Sequence, residues 1–167
     1  GGAAADEPLP NVLARVDAAK GEAVFKKCVA CHVISAGGAN GIGPNLYGIV
    51  GKAQASVGGF AYSDALKAVG KSWSFDELNA WLKSPKAYAN GTKMSFAGLG
   101  KIEDRAALIV YMNSQGSNLP LPAPVAAAAT PAPAGEAGTA PAGDAGAGAA
   151  GAAPAKGEAT TPPPAKK

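Results

Sequence analysis

The chain has 167 residues, with fifteen Lys or Arg, twelve Asp or Glu and a formal net charge of +3. Everything in that excess falls before Leu121, and it is too small to make the dense basic stripe with interleaved aromatics that nucleic-acid binding uses. No run reaches the roughly 18 apolar residues of a bilayer span and Gly1 opens no signal peptide, so the chain reads as soluble, with any export or anchor sequence removed from it.

Residues 1–16 read as an N-terminal extension or linker. Asp17 then caps a helix in which Gly21, Val24, Phe25 and Cys28 recur at i, i+3, i+4 and i+7, so one face is buried. Gly21 costs that helix about 1 kcal/mol relative to Ala, which argues for close approach by another element.

Both cysteines and the one histidine of the chain fall within five positions, Cys28-Val29-Ala30-Cys31-His32. CxxCH is the attachment signature of c-type haem: two thiols reach two vinyl groups on one porphyrin edge and the next imidazole turns under the iron. A structural zinc site wants four Cys or His ligands and only these three exist. A thioredoxin-like pair wants a βαβ setting, and a plain disulfide leaves His32 unexplained. The Gly-rich stretch 37–43 lacks the Lys-Ser/Thr ending of a phosphate loop and follows no strand, so it reads as a loop covering the haem.

Further on, Ser63 and Gly70 bracket a short helix, and Ser74 with Glu77 forms a capping box for another that ends before Pro85. Met94 lies in a Gly-containing loop, Asn90 to Phe96, where a thioether can swing towards a metal. Met112 sits in a helix that begins at Glu103 and Asp104, carries Ala107, Leu108, Tyr111 and Met112 on its apolar stripe, and stops at Gly116; it reads as core. We take Met94 as the second axial ligand opposite His32, with Met112 and an open site as the alternatives. A His/Met pair raises the reduction potential and leaves no coordination position for oxygen or peroxide, and with no second histidine the acid-base apparatus of a peroxidase is missing. The chain is therefore expected not to be an enzyme.

Strand signals are absent. The expected fold is all-α, with N- and C-terminal helices crossing, Tyr111 over Gly21, and short helices and loops wrapped around one haem. The haem domain is placed at 17–120. From Leu121 to Lys167 the chain is almost entirely Ala, Gly, Pro and Thr without an aromatic, which reads as a disordered spacer.

From Gly21 to about Gln115 the sequence resembles mitochondrial cytochrome c and related bacterial class I cytochromes. The residues that carry the likeness are the CxxCH motif, Gly43-Pro44-Asn45-Leu46, Gly59-Phe60-Ala61-Tyr62-Ser63-Asp64-Ala65, Trp73, and Gly91-Thr92-Lys93-Met94 with Phe96-Ala97-Gly98. The resemblance implies that the Pro44 carbonyl accepts from the ligand histidine, that Tyr62 and Trp73 hydrogen-bond a haem propionate, and that Thr92 lies near the methionine ligand. Three positions depart from the mitochondrial pattern: Trp81 for a tyrosine, Leu66 for an asparagine and Lys52 for an arginine.

The resemblance further implies a carrier of single electrons, from a quinol-oxidising complex to a terminal oxidase, or else a haem subunit fixed in a larger dehydrogenase or oxidase. The segment Pro8 to Leu13 looks like that of membrane-tethered alphaproteobacterial cytochromes, which implies a tether N-terminal to this chain, and the family resemblance implies a periplasmic location, because bacteria complete covalent haem attachment outside the cytoplasm. Lys27, Lys86, Lys93 and Lys101 are expected to gather at the haem edge and dock on acidic partners, with the protein itself a monomer.

Overall fold

The computed structural model describes residues 6–126; the expected Ala/Pro tail lies outside the described residues from position 127 onward. Six α-helices follow in chain order: α1 (Leu9–Leu13), α2 (Ala18–Phe25), α3 (Asp64–Val69), α4 (Phe75–Lys83), α5 (Pro85–Tyr88) and α6 (Ile102–Met112), which a π-helical turn (Asn113–Ser117) continues. Among the described residues the nearest approach to a sheet is one isolated bridge, Ala53 to Ser72.

The caps read from the sequence are in place. Asp17 accepts from the Lys20 amide at 2.8 Å, Ser63 from Leu66 at 3.2 Å and Ser74 from Glu77 at 3.2 Å, each satisfying an N–H that the first helical turn leaves free. Gly70 ends α3 at φ +64°, a left-handed conformation that costs glycine nothing. The Ser74 box is only half formed, because the Glu77 carboxylate turns instead to Lys71 and to the Tyr88 hydroxyl.

Two helices lie where prolines suggested none. Pro85 does end α4, yet it also starts α5: proline is well suited to a first helical turn, and Ser84 caps it by accepting from the Ala87 amide at 3.3 Å. Likewise Pro10 sits in the opening turn of α1, whose Leu9, Val12 and Leu13 are buried. The segment read as an extension thus contributes to the core. The chain just past Leu121 also lies beside it, the Val125 amide donating to Asn11 Oδ1 at 2.8 Å.

Helix α6 is the axis of the structure, with α2 crossing one side and α1 and α4 packed on others. Arg105, Ala106, Ala107, Leu108 and Ile109 are all buried, a wider band than one apolar stripe, because three neighbours cover it. At the α2–α6 crossing a Cβ on Gly21 would stand 2.0 Å from the Ala107 carbonyl oxygen and 2.6 Å from Tyr111 Cβ. Close approach is therefore to Ala107 as well as to Tyr111, and the Phe25 and Tyr111 rings meet beside it with centroids 5.4 Å apart. Gly21→Ala is expected to destabilise the protein by about 1–3 kcal/mol in urea unfolding, since backbone cannot yield and overpacking outweighs the better helix propensity of alanine.

Candidate haem site

Helix α2 runs straight into the site. The Cys28 amide donates to the Phe25 carbonyl at 2.7 Å, and the amides of Cys31 and His32 both donate to the Cys28 carbonyl, at 3.0 and 2.9 Å. This extra turn of backbone brings two thiols and an imidazole to one wall of a cavity of about 340 Å³. Cys28 is half-buried, and its burial pushes the thiol pKa up; Cys31 is exposed.

His32 is oriented from behind. Its Nδ1–H donates to the Pro44 carbonyl at 2.8 Å, which leaves the Nε2 lone pair free for a metal. Burial holds the imidazole pKa below its ordinary value, with the Pro44 bond acting against it, so the ring is neutral at pH 7, as a ligand must be.

Pro44 is itself held by a polar knot. Asn45 Nδ2 donates to the carbonyls of Ser35 (2.9 Å) and Gly38 (2.6 Å), the Asn45 amide donates to Asn40 Oδ1 (2.9 Å), and the Gly43 amide donates to the Cys31 carbonyl (2.8 Å). The positioning work of Asn40 and Asn45 went unread in the sequence; an Asn within the Gly-rich loop and another just after it were its only signal. Within the loop, a Cβ on Gly43 would stand 2.3 Å from His32 Cε1. Gly43→Ala is accordingly expected to displace the imidazole, giving a heterogeneous visible spectrum of the holoprotein and a stability loss of about 1–3 kcal/mol, checked by absorption during thermal unfolding.

Every residue singled out from the sequence as haem-binding lines this one cavity: Cys28, Cys31, His32, Pro44, Tyr62, Trp73, Thr92 and Met94. Tyr62 is buried, its hydroxyl accepting from the Val57 amide at 3.2 Å, so its own proton is free to be donated to a further acceptor. The Met94 amide donates to Thr92 Oγ1 at 3.2 Å, and Lys93 Nζ reaches the Ala61 carbonyl at 3.1 Å, tying the methionine loop across to the Tyr62 segment. Met112 also lines the cavity, from within α6, as do Leu66, Leu78, Leu82, Trp81 and Phe96. Leu66, Trp81 and Phe96 stand out in the sequence through the family pattern, whereas Leu78 and Leu82 carry no signal beyond core. Of the four lysines expected at the haem edge, Lys27 and Lys93 line the cavity while Lys86 and Lys101 do not.

An apolar chamber with two thiols, a neutral imidazole with a free Nε2 and a loop-borne thioether suits a covalently attached haem: the porphyrin finds hydrophobic walls and the iron finds N and S donors. The sequence profile of the family described as Cytochrome c matches residues 18–116. The chain belongs to the cytochrome c family. A cytochrome c homolog of Bradyrhizobium diazoefficiens is 46% identical over 125 residues, 74% of this chain and 67% of that protein. A cytochrome c homolog of Rickettsia bellii is 41% identical over 64% of this chain and 61% of its own length, so the chain spans about two thirds or less of these two relatives. Cytochrome c of the plant Stellaria longipes is 48% identical over 58% of this chain and 90% of that protein. Among solved structures, cytochrome cH from Methylobacterium extorquens superposes with a TM-score of 0.56 at 40% identity, covering 59% of this chain and 98% of that one. The all-α fold agrees with that likeness. With membership come covalent haem c, carried on the Cys28/Cys31 pair, and haem-based electron transfer in place of catalysis.

Proposed function

We propose that this chain shuttles single electrons from a quinol-oxidising complex to a terminal oxidase in the periplasm, with His32 and Met94 as the two axial ligands of its haem. The observation that supports it most directly is that two donors line one cavity: a neutral His32 fixed by Pro44 and the Met94 thioether on a separate loop. When bound, haem c supplies a reversible one-electron iron couple. The chain supplies everything else. Cys28 and Cys31 hold the group, Thr92 steadies the Met94 loop, and Tyr62 and Trp73 stand on the wall ready to donate to propionates. Apolar side chains exclude water, which favours the less charged, reduced state.

Docking is assigned to the lysines. Lys20, Lys67, Lys71 and Lys83 are ion-paired, whereas Lys27, Lys86, Lys93 and Lys101 form no ion pair among the described residues, leaving their charge to act on a partner. Residues 17–120 serve as the haem domain, 121–167 as a spacer, and a tether preceding the chain would hold the monomeric domain near membrane complexes; no helix among the described residues is long and apolar enough to cross a membrane.

The test is stopped-flow reduction of the holoprotein by a purified quinol-oxidising complex and its oxidation by a terminal oxidase. Second-order kinetics at both complexes, slowed by salt, are expected; stoichiometric co-purification with a dehydrogenase, without exchange, would replace the shuttle with a fixed subunit. Reversing Lys27 and Lys93 to Glu is expected to cut the low-salt association rate tenfold or more, roughly within the 10 to 10³-fold range of electrostatic steering, and the difference should collapse at high salt.

A further inference from the structure

From the cavity wall outward the structure packs three oxidisable rings together. Trp73 and Trp81, both lining the cavity, have centroids 5.4 Å apart, and Tyr88 packs on each of them, at 6.2 Å from Trp73 in near-parallel stacking and 5.6 Å edge-on from Trp81. Rings in contact exchange electrons readily because orbital overlap decays steeply with distance. Tyr88 does not line the cavity itself and is half-exposed.

Its hydroxyl joins one donor and one acceptor. Gln54 Nε2 donates to it at 2.6 Å, and the hydroxyl donates its proton to the Glu77 carboxylate. That carboxylate is kept ionised: the Lys71 ammonium at 2.7 Å lowers its pKa, as does the Tyr88 hydroxyl, and it sits in the first turn of α4 where the helix favours negative charge. Burial and the Glu77 contact push the phenol itself up to about 12, so it does not ionise in its resting state. A phenol loses an electron easily only if its proton leaves too, and here a base is already in contact with it. Tyr62 has no such base among the described side chains: its hydroxyl accepts from the Val57 amide.

We propose that Tyr88 is a redox-active tyrosine, a sink for one-electron oxidising equivalents reaching it from the cavity wall through Trp81 and Trp73. A one-electron oxidant takes an electron from either tryptophan. Tyr88 refills that ring with one electron, its O–H bond breaks, and the proton passes to Glu77. The products are the oxidant reduced by one electron, restored tryptophans, a neutral Tyr88 phenoxyl radical and the neutral Glu77 acid. This route stands on the aromatic contacts and the Glu77 hydrogen bond, not on which residues ligate the haem.

The experiment exposes the oxidised holoprotein to azidyl radical, which becomes azide on gaining one electron, in the presence of a nitroso radical trap, and maps trapped adducts on the four tyrosines by peptide mass. Tyr47 is the most accessible control, at 40% exposed. Tyr88 is expected to carry several-fold more adduct than Tyr47. Glu77→Gln should cut the Tyr88 yield at least threefold, while Lys71→Gln, which removes the ion pair and keeps the base, should not. Trp81→Phe should also lower it, with the visible spectrum confirming that each variant retains folded haem. Adducts that follow exposure, with Tyr47 dominant, or a Tyr88 yield indifferent to Glu77→Gln or to Trp81→Phe, would overturn the proposal.

Discussion

Arg105→Ala is expected to lower the unfolding free energy by about 3–5 kcal/mol, the usual cost of breaking a buried charged network by removing one partner. The side chain is 0% exposed. From within α6 its guanidinium donates to Asn79 Oδ1 (2.7 Å), to the Leu99 and Gly100 carbonyls (2.8 Å each) and to Asp6 Oδ2 (2.7 Å). One planar fork thus joins α4, the loop after Met94 and the N-terminal arm. Alanine would orphan several acceptors together and leave a void. Arg105→Lys should recover only part of the loss, since an ammonium cannot span the same set of directions. Denaturant unfolding of the holoprotein checks both variants, and a loss under about 1 kcal/mol for alanine would show that water replaces the network at little cost.

The Asp6 end of this network adds a pH signature. Lys83 hydrogen-bonds the Asp6 carboxylate at 2.8 Å, and this contact, with the charges of Arg105 and Lys83, holds its pKa below the ordinary 3.8 against the opposing effect of desolvation. The folded value lies below the unfolded one. Its stabilisation is therefore complete above the ordinary carboxylate range and is lost as pH falls through the depressed value. Asp6→Asn should melt below the wild type at pH 7 and converge with it at strongly acidic pH.

The arm shows where sequence reading stops. Asp17, Ser63, Ser74 and Gly70 announce their caps locally, because a cap is a relation between residues three or four apart. Cys28, Cys31 and His32 are equally local. Arg105 and Asp6 are 99 positions apart, and nothing near either one marks the pair; in sequence Arg105 is one more cation on a helix beginning with Glu103 and Asp104. Leu9, Val12 and Leu13 failed for a related reason, as five residues make too short a window for periodicity and the flanking prolines suggest extended chain. Met94 stands out because methionine in an aperiodic Gly-containing stretch has no packing explanation, but Leu78 and Leu82, which line the same cavity, are indistinguishable from any core until folding gathers them.

That contrast between the two methionines yields the second large effect. Met94→Ala is expected to abolish the weak near-infrared band that reports methionine sulfur on iron. It should also lower the reduction potential by a substantial share of the roughly 0.8 V that axial ligation spans, and admit small exogenous ligands. Met112→Ala should do none of these. Met112 is 3% exposed in α6, where its neighbours fix its position, so its loss removes packing and costs about 2–5 kcal/mol while the band persists. Met94 is half-exposed on a loop anchored through Thr92 and Lys93, free to adjust its thioether to a metal in a way a core helix is not. A band lost in Met112→Ala and retained in Met94→Ala would exchange the two assignments. A high-spin spectrum in the intact protein would remove both, and with them the reason to expect a closed, transfer-only site.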